Sequence, residues 1–148
     1  MIPCEWFPTR DGDPDAHRLY ARHYSRPVYR DGRRRRLFVG PGEKRVLVTS
    51  DGLAMFVWRR FIDDCSLGGG VNCAAFRNEG GCLSSALILQ ADAYADRVWP
   101  HEVRHYTYVD PSKIRSSNPG CCFKHAGWRQ CGQTKGGLLC LERMRGAA

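Results

Sequence analysis

What the 148-residue chain lacks narrows its reading before any motif is considered. No run of eighteen apolar residues occurs, so no segment reads as a membrane-spanning helix. The first residues, among them Cys4, Glu5, Trp6 and Pro8, lack the charged-then-apolar order of a secretion signal. Both absences point to a soluble, cytoplasmic protein with no membrane partner. No internal repeat occurs, and no low-complexity tract beyond one short arginine run. Eight cysteines are present (Cys4, Cys65, Cys73, Cys82, Cys121, Cys122, Cys131 and Cys140), yet they never form a Cys-x-x-Cys pair. Structural-zinc spacing is therefore missing, and the expected state is reduced, mostly buried thiols.

Acidic residues are scarce at the two ends. The net charge is +8, and residues 1–36 hold nine arginines against five acids, residues 37–100 six Lys/Arg against seven, and residues 101–148 eight against three. Basic ends flanking a near-neutral scaffold suit a polyanion, with nucleic acid the first candidate. Arg33, Arg34, Arg35 and Arg36 form an uninterrupted run after an Asp31-Gly32 turn. At this length a single domain covering residues 1–148 buries a core without covalent staples.

The chain is organised around residues 71–99. A short apolar run with Val71, Cys73, Ala74, Ala75 and Phe76 leads into Arg77-Asn78-Glu79-Gly80-Gly81 and then a helix, on which Leu83, Ala86, Leu87, Gln90, Ala91, Tyr94, Ala95 and Val98 share one face. Pro100 ends it. Glycines at a helix start leave backbone N–H groups and the positive helix end open to an anion. A Gly-rich turn that only joins strand to helix has the same outline.

A second motif, residues 118–128, reads as a short helix with Asn118 as N-cap, Pro119 at its first position and Gly127 closing it, followed by a strand from Trp128. This order, an Arg-x-x-Gly-Gly loop with its helix, a strand, then an Asn-capped helix ending in Ala-Gly-aromatic, resembles the GNAT acyltransferase superfamily. Residues 106–115, 123–129 and His23-Tyr24-Ser25 sharpen it toward the phage Mom family, GNAT-like proteins that convert DNA adenine to its N6-carbamoylmethyl form and protect phage DNA from host restriction. The resemblance implies an α/β (α+β) GNAT-like fold, with a mixed central sheet, two splayed parallel strands and flanking helices. It also implies acetyl-CoA or a related CoA ester held by Arg77, Asn78, Gly80, Gly81, Ser84, Ser85, Asn118 and Phe123, and a phage-encoded enzyme working in the bacterial cytoplasm.

In chain order, residues 1–14 read as an irregular entry segment, and residues 15–24 as a helix with Ala16, Leu19, Tyr20 and His23 on one face. Residues 25–44 form a basic loop. Residues 45–49 and 53–61 make a hairpin about Asp51-Gly52, and a third strand begins at Val71. After the long helix, residues 103–109 form a strand parallel to that third one. Residues 128–133 and 138–142 close the domain as a hairpin, and residues 144–148 are a flexible tail.

Many GNAT acetyltransferases place a proton-donating tyrosine where this chain has Phe123, and a phenyl ring donates no proton. The Mom resemblance implies a different bond, N–CH2, and a different centre: His23, Tyr24, Tyr108 and Asp110 as catalytic candidates, with iron as an added cofactor on His23, Tyr24 and Asp110. The substrate is then double-stranded DNA with a flipped adenine, for which Tyr24 and Tyr108 offer stacking surfaces. Arg33, Arg34, Arg35, Arg36, Lys113 and Arg115 are expected to face phosphates. Two other readings stay open: an N-acetyltransferase for a small amine or protein, and a non-catalytic nucleic-acid-binding module on the same fold. The oligomeric state is open as well, a dimer included.

Overall fold

Runs of β-branched and aromatic residues punctuated by Gly and Asp turns build a sheet, here of seven strands. The structure, a computed structural model, describes residues 4–21, 42–60, 69–113 and 119–145. In chain order these form β1 (Phe7–Thr9), α1 (Pro14–Ala21), β2 (Glu43–Val48), β3 (Ala54–Arg60), β4 (Val71–Asn78), α2 (Ser84–Val98), β5 (Arg104–Val109), a 3-10 turn (Pro111–Lys113), α3 (Cys121–His125), β6 (Arg129–Gln133) and β7 (Leu139–Met144). The strand order is β1-β2-β3-β4-β5-β7-β6. Only β4 and β5 run parallel, because α2 carries the chain back between them; every other neighbouring pair is antiparallel. The fold is thus mixed α/β, with a mixed sheet and few helices.

The β2–β3 hairpin turns at Gly52, whose φ of 70° suits a residue without Cβ. Asp51 Oδ1 holds the turn by accepting from Thr49 Oγ1 at 2.7 Å and from the Leu53 amide at 3.0 Å.

Helix α2 lies over one face of the sheet and buries Leu87, Ile88, Ala91, Asp92 and Ala95. The buried stripe is narrower than the expected one, because Leu83 and Gln90 point outward. Leu83 is the N-cap, with extended dihedrals (φ −69°, ψ 125°), so it is not on the helical face and stays 71% exposed. Gln90 instead donates to the Cys4 carbonyl. Beneath α2 sits an aromatic core: Phe56 and Trp58 with ring centroids 4.7 Å apart, Phe123 and Trp128 at 4.8 Å, and Trp6 set edge-on to Phe56 and Phe76. Helix α1 covers the opposite face, where Ala16 and Leu19 pack on Val46, Met55, Val57 and Ala75.

Four expectations are corrected. The entry segment is not irregular throughout: β1 pairs with β2, and Trp6 Nε1 donates to the Leu87 carbonyl at 2.7 Å. The cysteines are not all reduced thiols, since Cys4 and Cys82 form a disulfide across 78 residues. No local spacing announces that bond; it exists because the entry segment returns to the start of α2. The short helix begins at Cys121 with Gly120, not the expected Asn118, as N-cap, and Pro119 lies in the preceding turn, not at the first helical position; Asn118 itself lies outside the described residues. Its end does follow the expectation. Gly127 (φ 95°) donates to the Lys124 carbonyl and Trp128 N to that of Phe123, both at 3.0 Å, a Schellman closure that sets the Trp128 ring on Phe123. Finally, Met144 and Arg145 do not belong to a flexible tail, because Met144 ends β7 and the Arg145 amide donates to the Val103 carbonyl, while residues 146–148 lie outside the described residues.

Candidate anion site and parallel-strand cleft

Strand β4 delivers its loop to the start of α2, and the loop is braced by one side chain. Asn78 Nδ2 donates to the Cys82 carbonyl (2.7 Å) and to Ser84 Oγ (3.0 Å), while its Oδ1 accepts from the Gly80 amide at 3.0 Å. Gly80 approaches Leu53 closely, and an added Cβ would stand 3.1 Å from the Leu53 Cβ. Gly80 therefore tightens the loop and does not bare its amide. Gly81, next to it, is exposed.

Helix α2 carries no side-chain cap at Leu83 and no acid in its first turn. A fifteen-residue helix usually satisfies its leading N–H groups with Ser, Thr, Asp or Asn; here the N-cap Leu83 offers no such group, which suits contact with solvent or an anion. Ser84 and Ser85 add hydroxyls at the same end, both half-buried. Arg77 reaches Glu79 through its Nε at 2.5 Å, so its charge is shared with a neighbouring carboxylate.

On its other side β4 pairs with β5 over only part of its length. The β4–β5 ladder has three pairs, Val71 with His105, Asn72 with Tyr106 and Cys73 with Thr107, yet β4 continues to Asn78 and β5 to Val109. Where pairing stops, β4 bulges: Val57 opposes Ala75 and Trp58 opposes Cys73, leaving Ala74 as the extra residue. Thr107 Oγ1 donates to the Cys73 carbonyl at 2.9 Å at that last pair. The two strands therefore part at the end nearer the glycine loop.

Tyr108 lies on β5 past the last pair, half-buried and edge-on to Tyr106 at 5.8 Å. Burial raises its phenol above the ordinary tyrosine value, so the hydroxyl is protonated at neutral pH, as an unshifted one is, and is a weaker acid. Asp110 follows, and its Oδ1 accepts from the Ser112 amide (3.0 Å) and hydroxyl (2.6 Å), capping the 3-10 turn. Phe123 is a core residue, 7% exposed between Phe76 and Trp128. His23, Tyr24, Arg33, Arg34, Arg35, Arg36, Arg115 and Asn118 lie outside the described residues. Lys113 ends the 3-10 turn. The structure thus brings Asn78, Gly81, Ser84 and Ser85 together at one helix start, and sets Tyr108 and Asp110 at the end of β5.

A polar group that the sequence reading passed over is buried under α2. Asp92, 1% exposed, takes Trp128 Nε1 on Oδ2 at 2.9 Å and lies 2.7 Å from His105 Nδ1 through Oδ1. His105 Nε2 faces Asp96 Oδ1 at 3.4 Å without hydrogen-bond geometry, and Arg143 closes on Asp96 at 3.2 Å. The signal for it was present: an acid inside the apolar stripe of a helix needs a buried partner.

Among the described residues no group of three His, Cys, Asp or Glu side chains is placed to hold a metal, and no helix is long and apolar enough to cross a membrane. Compared with family models and with curated proteins, the chain matches none.

Proposed function

We propose that the chain is a GNAT-like transferase that binds acetyl-CoA or a related CoA ester at the start of α2 and modifies adenine in double-stranded DNA to its N6-carbamoylmethyl form, as the Mom proteins it resembles do. The observation that carries this reading is the pairing of an uncapped, acid-free helix start with two parallel strands that part beside it. The residues fit the cofactor: amides from Gly81 onward and the Ser84 and Ser85 hydroxyls suit a pyrophosphate, and the cleft beyond Cys73 and Thr107 suits an acyl chain. Such a thioester would by itself acylate an amine at its carbonyl; the N–CH2 bond of the carbamoylmethyl group is a different bond, and no step of its formation is assigned to the thioester.

The chain's own residues then have distinct tasks. Asn78 holds the loop in shape through both ends of its amide. Tyr108, whose hydroxyl is protonated at neutral pH, supplies the proton that Phe123 cannot. Residues 22–41 carry seven arginines against one aspartate, which suits the phosphates flanking a flipped base. Arg33, Arg34, Arg35 and Arg36 belong to this set, with Lys113 and Arg115 further along. His23 and Tyr24 complete the centre in this proposal. Iron on His23, Tyr24 and Asp110 belongs to the same resemblance; Asp110 Oδ1 is already engaged by Ser112, and no step is assigned to the metal.

The test is mass spectrometry of nucleosides from the DNA of bacteria expressing the protein. Modified adenine is expected with the wild-type chain, falling about a hundredfold with Tyr108→Phe. DNA without modified adenine, from cells in which the protein is folded and binds CoA esters, would replace this reading with the N-acetyltransferase one.

A further inference from the structure

The β6–β7 hairpin brings two thiols together. In their ladder Gln130 opposes Leu141 and Gly132 opposes Cys140, so Cys131 is the extra residue of a bulge. In a regular ladder, side chains alternate between faces, and Cys131, next to the partner of Cys140, would point away from it. The bulge turns it back. Its Sγ lies 3.1 Å from Cys140 Sγ, and nothing would obstruct even a Cβ at the intervening Gly132. Cys131 is exposed and Cys140 is buried. Arg104 Nη2 stands 3.8 Å from Cys140 Sγ, on a side chain fixed by Glu142 at 2.7 Å and by the Gly69 carbonyl at 2.7 Å.

We propose that Cys131, Cys140 and Arg104 form a thiol–disulfide exchange site that takes small-molecule disulfides such as glutathione disulfide. Cys131, the exposed sulfur, attacks as thiolate; a sulfur–carbon-chain mixed disulfide forms on it and one glutathione thiolate leaves, taking up a proton from solvent. Cys140 then gives its thiol proton to solvent and attacks the Cys131 sulfur, and the second glutathione leaves. Two protein thiols are oxidised, and one small disulfide is reduced to two thiols. The guanidinium favours negative charge on the sulfurs during both attacks. Burial pushes the Cys140 thiol up to about 12, which suits the resolving partner over the attacking one. The bond closes β6, an edge strand with all five residues exposed, onto β7 at the residue paired with Tyr108.

The test treats the full chain with glutathione disulfide, blocks free thiols and maps tryptic peptides without reduction; Lys135 lies between the two cysteines, so cleavage there separates them unless they are bonded. Wild type is expected to give the Cys131 and Cys140 peptides linked, and Cys140→Ser to hold glutathione on Cys131. Arg104→Gln should slow linkage about threefold, the net of a tenfold smaller thiolate fraction and a more nucleophilic sulfur. Stable glutathione on Cys131 of the wild-type chain, or no reaction at Cys131, would overturn the site, and an unchanged rate in Arg104→Gln would remove the guanidinium from it.

Discussion

The two faces of the sheet use the same strands for opposite purposes. Under α2, successive inward residues are Phe56, Trp58, Phe76 and Val109, closed by Phe123 and Trp128, and the buried polar side chain Asp92 is matched there by His105 and Trp128. On the other face, α1 covers only the β2–β3–β4 part with small aliphatic side chains. The β4–β5–β7 part of that face carries Asn72, Arg104, Tyr106, Tyr108, Cys140 and Glu142 instead, whose side chains alternate with those facing α2. Asn72 Oδ1 is buried there without a hydrogen bond. One face is built for packing, and the other keeps titratable and reactive groups beside the cleft.

The sharpest way to break this contrast is to remove one polar group from each face. Asp92→Ala strands Trp128 Nε1 and His105 beneath α2 and should cost about 3–5 kcal/mol in urea unfolding. Asn72→Ala removes an acceptor that has no donor and should change stability by less than about 1 kcal/mol. Similar losses from the two substitutions would mean that the faces do not differ as described.

Breaking the Cys4–Cys82 bond comes next in size. It ties the entry segment to the loop just before α2 on the packed face, and its reduction or Cys82→Ser should lower stability by about 2–4 kcal/mol. Differential scanning calorimetry with and without reductant measures this, and an unchanged melting temperature would show that the β1–β2 pairing, Trp6 and Gln90 anchor the segment without the disulfide.

The smallest effect belongs to the other face. The Arg104 hydrogen bond, opposed by burial, holds the Glu142 carboxyl below the ordinary glutamate value. A depressed folded-state value means that the contribution is complete above the unfolded value, about 4.3, and is lost as pH falls through the folded one. Acid unfolding of Glu142→Gln should accordingly show a shallower loss of stability below about pH 4.3 than wild type. Identical slopes would assign the acid sensitivity to other carboxylates.

The periodic parts of this architecture were legible in the residues. The 3.6-residue repeat marked α2 within a residue or two, Asp51-Gly52 marked the hairpin, and the helical crossover required β4 and β5 to be parallel. What stayed hidden depends on contacts between distant residues. β1 is three residues long and carries Pro8, too short for any alternation to show, and it forms because β2 offers an edge. Cys4 and Cys82 become partners only after that pairing. For the site, the glycine loop was visible, but the task of Gly80 was not, since its neighbour Leu53 belongs to a different hairpin. Phe123 could be recognised as aromatic, whereas its burial follows from the Schellman closure that brings in Trp128.

The most direct test of the account is isothermal titration of acetyl-CoA into the wild-type chain and into Gly81→Glu. The account predicts saturable binding by wild type and none by Gly81→Glu, because a carboxylate at the uncapped start of α2 occupies the place of the pyrophosphate and repels it. No binding by the wild-type protein, or equal binding by both, would contradict it.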